Sequence, residues 1–139
     1  MKYKIVGKYI KDLKFEIPDP KTFFLLEKNI SNYKINIDIK SNQFKEKIIE
    51  VETTLSLSPS TDDFEKINTK IVFSTIIEID GELTNKKFLE KVILIQVPNE
   101  IYPEIRSLFI LLFEKSGFNK IKIEETIDFE KLYQKRTIQ

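Results

Sequence analysis

The chain reads as an α+β domain, a four-stranded antiparallel sheet packed by one long helix and a short C-terminal helix. Period-two alternation of apolar residues recurs in separate stretches up to Asp80, and a broad apolar stripe of helical spacing lies between Ile105 and Phe113. Turn chemistry at Asp19-Pro20, Ser58-Pro59 and Asp80-Gly81 separates these stretches. With 139 residues the chain suits one domain, 1–139, with a core of its own.

The first strand ends at Pro18-Asp19-Pro20. Side chains alternate across a strand, so Tyr9, Lys11, Leu13, Phe15 and Ile17 are expected on one face and Ile10, Asp12, Lys14 and Glu16 on the other. Asp12 and Glu16 then stand roughly 13 Å apart, too far to share a proton but suited to an acidic docking strip. Thr22 to Ile30 connects onward through the apolar patch Phe23-Phe24-Leu25-Leu26, whose form is open between a helical turn and a loop. Tyr33 to Lys40 is the clearest strand, with Tyr33, Ile35, Ile37 and Ile39 inward and Lys34, Asn36, Asp38 and Lys40 outward. Ser41-Asn42-Gln43 reads as the turn that follows.

A third strand is expected from about Ile48 to Leu57, placing Ile49, Val51, Thr53, Leu55 and Leu57 on one side and Glu50, Glu52, Thr54 and Ser56 on the other. The fourth, from about Glu65 to Asp80, carries Ile67, Ile71, Phe73, Ile77 and Ile79 on one face, yet Val72 and Ile76 make the opposite face partly apolar as well. Such a patch points to a contact between subunits. Phe88 to Val97 reads equally as helix or strand. The long helix is expected to begin near Pro103, a residue tolerated in a first turn, and to end before Gly117. Ile105, Leu108, Phe109, Leu112 and Phe113 form its stripe; Ile110 and Leu111 widen it, which predicts burial on two sides, one against the sheet and one against a partner subunit. Val72, Ile76, Phe109, Ile110 and Leu111 are thus the candidate subunit interface. Asp128 is a good N-cap for a short last helix whose apolar edge is Phe129, Leu132 and Tyr133.

Composition excludes more than it suggests. The chain has no histidine and no cysteine, so Ser-His-Asp and Cys-His sites, thiolate zinc sites and histidine metal triads are out of reach. Three glycines supply neither a phosphate loop nor a dinucleotide fingerprint. A net charge of +1, with lysines interleaved among acids, gives no footprint for nucleic acid. The opening residues lack the apolar run of a signal peptide, and no stretch suits a membrane span, so a cytoplasmic protein without cofactor or metal is expected. The adjacent acids Glu124-Glu125 and Asp62-Asp63 read as solvated turn charges rather than a catalytic pair. A small-molecule carrier, or an enzyme relying on Asp, Glu, Lys, Tyr or Ser, is the reading from a different class.

Three segments resemble the SecB family of bacterial export chaperones. Tyr9, Lys11, Asp12, Phe15, Glu16 and Pro18 match that family's Tyr-x-Lys-Asp-x-x-Phe-Glu-x-Pro opening; Pro98-Asn99-Glu100-Ile101-Tyr102-Pro103-Glu104-Ile105-Arg106 is similar to the proline-led approach to its long helix, and Asp128-Phe129-Glu130-Lys131-Leu132-Tyr133 to its final helix. In order, they span nearly the whole chain. The resemblance implies a homotetramer, a dimer of dimers, that holds unfolded preproteins in apolar grooves and passes them to the SecA ATPase without nucleotide or covalent chemistry. It implies client contacts at Tyr33, Ile35 and Ile37 and at Phe129 and Tyr133, although alternating isoleucines are equally what a core requires. It implies SecA docking through Asp12 and Glu16. Lys70 stands where the family is usually acidic, Asn119-Lys120 replaces a proline-rich link, and Lys135-Arg136-Thr137-Ile138-Gln139 is not an acidic tail. A SecB-like chaperone dedicated to one client, such as the antitoxin of a toxin-antitoxin system, fits the same residues.

Overall fold

The structure is a computed structural model describing residues 2–61, 63–64, 66–81, 83–119 and 121–138, the last three by their backbone only. Met1, Asp62, Glu65, Glu82, Lys120 and Gln139 therefore lie outside the described residues, as does the expected start of the fourth strand at Glu65.

Four strands, β1 (Lys2–Glu16), β2 (Tyr33–Lys45), β3 (Ile48–Pro59) and β4 (Asn68–Asp80), form one antiparallel sheet in the order β1-β4-β3-β2. β2, β3 and β4 are a simple meander. β1 pairs with β4, so the link from β1 to β2 must travel from one sheet edge to the other. Helix α1 (Pro20–Asn29) and a 3₁₀ turn (Ile30–Asn32) make that crossing. Asp19 caps α1 by accepting from the Thr22 N–H at 2.7 Å, with Pro20 in the first turn where its missing N–H costs nothing. The patch Phe23 to Leu26 is thus helical.

Two β-bulges shape β1, with register steps between Ile5 and Gly7 and between Ile10 and Asp12. Tyr9 stands opposite Ser74 and Asp12 opposite Val72 on the outer face, whereas Ile10 faces inward opposite Phe73 and Leu13 opposite Ile71. The expected grouping of Tyr9 and Lys11 with Leu13 and Phe15 fails here, because one inserted residue turns the strand over. Asp12 and Glu16 both follow the bulge and keep a common face. At the β2–β3 hairpin the strand continues through Ser41, Asn42 and Gln43, and the turn falls at Glu46-Lys47, with Lys47 at φ 65°. Asn42 donates to Glu52 at 2.9 Å across the strands, which favours the longer pairing over an early turn.

The inner face of the sheet carries the core. Val51, Leu55, Ile71 and Ile77 are fully buried beneath Ile105, Phe109 and Phe113 of the long helix. That helical run starts far earlier than Pro103: α2 (Lys86–Lys91) passes through a π turn (Val92–Gln96) into α3 (Val97–Lys115). Asn85 caps it by accepting from the Phe88 N–H at 3.1 Å. Pro98 cannot donate and its ring crowds the preceding turn; a widened turn, in which the Val97 N–H reaches the Val92 carbonyl, accommodates it. Pro103 sits inside α3 on its exposed side, where water can satisfy the carbonyl it leaves unpaired. Gly117, at φ 94°, ends α3 in a Schellman motif: Phe118 N–H donates to Phe113 O (2.9 Å) and Gly117 N–H to Glu114 O (3.1 Å). A strap without regular secondary structure, residues 121–128, then leads to α4 (Phe129–Ile138).

Candidate client groove

A groove of about 1650 Å³ opens between the edge strand β2, the strap and α4. Its floor is the inward row Tyr33, Ile35 and Ile37, with Leu57 paired to Ile35 across the sheet. The facing wall is Ile121, Ile123 and Ile127 of the strap, and Leu132 of α4 closes one side while 41% exposed. Ile30, Tyr102 and Phe118 complete the lining, and Lys34, Lys122 and Glu124 stand among its polar groups. The result is a channel with apolar side chains along floor and wall and charged ones, Lys34, Lys122 and Glu124 among them, in the same lining. It can hold an extended apolar segment and, among the described residues, offers no arranged acid–base or nucleophile pair.

The strap is held from beneath by α3. Tyr102 donates its hydroxyl to the Glu124 carbonyl at 2.7 Å, and Arg106 donates through Nε and Nη2 to the Ile123 carbonyl at 3.1 and 3.0 Å. Burial pushes the Tyr102 phenol up, which keeps it a donor at every ordinary pH. Tyr102 also meets the edge of Phe129, ring centroids 6.1 Å apart.

Of the residues expected to touch a client, Tyr33, Ile35 and Ile37 lie on the groove floor, half-buried. Phe129 is 1% exposed and belongs to the core, so it supports α4 rather than offering a surface. Tyr133 lies off the lining and instead donates to Glu90 Oε2 of α2 at 3.1 Å. Leu132 takes the position expected of Tyr133. The strap isoleucines were not among the expected contacts, although Ile121-Lys122-Ile123 carries the alternation that could have announced them.

On the outer face, Asp12 and Glu16 share one side of β1, with Asp12 3.8 Å from Lys70 Nζ. Further along, Glu50 accepts from Ser74 Oγ at 2.7 Å, from Lys11 Nζ at 3.1 Å and from the Tyr9 hydroxyl. Those donors, Tyr9 foremost and Ser74 next, hold the Glu50 carboxyl at about 2. Val72 and Ile76 are half-buried on the same face. Along α3, Leu111 is 47% exposed and Ile110 half-buried, but Phe109 is wholly inside this chain's own core. The widening of the stripe placed Phe109 on both sides; the helix turns it inward only.

The sequence model of the family described as preprotein translocase subunit SecB matches residues 1–139. The chain belongs to the SecB family. It is 42% identical over 134 residues to a putative protein-export protein SecB of Pelagibacter ubique (strain HTCC1062), covering 96% of each chain. It is 26% identical to the protein-export protein SecB of Anaplasma phagocytophilum (strain HZ), covering 97% of this chain and 92% of that one. Among solved structures, the SecB-like chaperone Rv1957 of Mycobacterium tuberculosis, in complex with a ChAD peptide from the HigA1 antitoxin, matches with a TM-score of 0.61 at 12% identity, over 88% of this chain and 89% of that one. At that identity the likeness speaks for the fold, a four-stranded sheet with a long helix and a short C-terminal one. No helix among the described residues is long and apolar enough to cross a membrane.

Proposed function

We propose that this SecB-family chaperone is a cytoplasmic holdase: it keeps unfolded preproteins open for transport and delivers them to SecA, acting as a tetramer built from two dimers. The observation that carries the reading is the apolar groove between β2 and the strap, large enough for several consecutive side chains of an extended segment. Each client side chain buried there contributes about 1.5–3 kcal/mol before ordering costs, so one groove binds weakly. Grooves repeated on one assembly raise the affinity through effective concentration. Because the bound client is unfolded, mass action opposes its folding, and nothing in the cycle calls for catalysis by this chain.

The interface role belongs to Leu111 and Ile110 on α3 and to Val72 and Ile76 on the sheet. SecA docking falls to Asp12 and Glu16. The test is a titration of a denatured preprotein into the protein, with Ile35→Asp and Leu132→Asp alongside, followed by addition of SecA. Loss of client capture by folded groove variants is expected; capture that ignores both substitutions would refute the groove. A second reading, a chaperone reserved for one antitoxin, draws on the antitoxin peptide bound by the structurally similar mycobacterial chaperone. Capture of only one partner from a mixture of unfolded proteins would favour it.

A further inference from the structure

The strip that carries Asp12 and Glu16 is not acidic once its neighbours are placed. Lys14 stands between those two acids on the same face of β1, and β4 sets Lys70 directly opposite Lys14. Two like charges facing each other across a ladder repel, and Lys70 leans along the strand to Asp12 instead, its Nζ 3.8 Å from Oδ2. Two carboxylates are therefore interleaved with two ammonium groups. The acids further along cannot restore the field: Glu50 is sealed by three donors, and Lys11 also reaches Glu52 at 3.3 Å.

We propose that Lys70 is an affinity-setting residue of this docking strip: as a built-in counter-ion to Asp12, it weakens the hold on a cationic segment of the partner, which must displace it to bind. The inference rests on the docking role assigned to Asp12 and Glu16. It predicts a gain on substitution, a direction that damage to the fold does not produce. Both members of the pair are partly exposed, 39% for Lys70 and 42% for Asp12, so neither variant opens a buried gap.

The experiment is a titration of the intact protein with SecA of its own organism at about 50 mM and about 500 mM salt, comparing the natural chain with Lys70→Gln and Lys70→Glu. An exposed pair of this kind corresponds to roughly two- to fivefold in affinity, so Lys70→Gln is expected to bind that much tighter at low salt. Lys70→Glu is expected to bind about tenfold tighter, with the gain shrinking at high salt. Binding that is abolished by Asp12→Lys yet unchanged or weakened by both Lys70 substitutions overturns the inference and leaves the docking role standing. Absence of binding by every folded variant overturns the docking role, and the inference with it.

Discussion

Arg106→Met should loosen the strap without unfolding the protein. Arg106 places two N–H donors on one carbonyl, that of Ile123, and methionine keeps much of its apolar stem while removing both. Hydrogen bonds from a charged donor contribute about 1.5–3 kcal/mol, and the lower figure suits a side chain that is only partly buried. A loss of about 1.4 kcal/mol raises the open population of the strap roughly tenfold. Lys122 lies exposed within the strap, so trypsin reports that population directly when reclosing outpaces cleavage. The expected result is roughly tenfold faster cleavage after Lys122, with smaller changes after Lys40 in the sheet. Equal acceleration at both lysines would show a global effect, and no acceleration at Lys122 would show that α3 does not hold the strap; either outcome refutes the reasoning.

Removing the Thr53 hydroxyl, fully buried on the inner sheet face and without a hydrogen-bond partner among the described residues, should stabilise: Thr53→Val is expected to raise the unfolding free energy by about 1 kcal/mol in urea denaturation. Lys47→Gly, at φ 65° in the β2–β3 turn, should add about 0.5–1 kcal/mol on the same assay, since glycine carries no Cβ penalty there. The Glu50 carboxyl lies at about 2 in the folded chain against an ordinary value of 4.5, so its contribution is complete above pH ~4.5 and lost as pH falls toward 2. Discounted for solvent, that is about 1–2 kcal/mol, and Glu50→Gln should flatten the corresponding slope in urea midpoints measured between those limits.

Most of the sheet was legible because its pattern is local. β2 and β3 alternate strictly, and the structure keeps Ile35, Ile37, Val51 and Leu55 on the face the alternation assigns them. What escaped depends on partners far away in sequence. The bulge that turns Lys11 outward leaves no compositional mark; it is stabilised by Glu50 and Glu52 some 40 residues on. Val92-Ile93-Leu94-Ile95 has the composition of a strand, and it becomes helical because Val92, Ile93 and Val97 bury one face against the core. Pro103 looked like a helix start since its local rule is satisfied there equally well. In the groove, the alternation of the β2 row was readable but did not distinguish groove from core, and the strap contributes through Tyr102 and Arg106, whose role follows only from where α3 lies.

The pairing of β1 with β4 rather than with its sequence neighbour sets the order in which this chain can be made. The meander β2–β3–β4 closes through short turns, but β1 has no edge to join until Asn68 to Asp80 exist, roughly fifty to sixty-five residues after Glu16 is added. At about 5–20 residues per second of synthesis, that leaves the opening strand waiting for seconds, its Ile5, Ile10, Leu13 and Phe15 facing water. Such late, long-range closure slows folding and rewards anything that shields a nascent strand. A newborn copy of this chaperone thus passes through the very condition, an extended apolar segment awaiting its place, that the proposed function assigns to its clients.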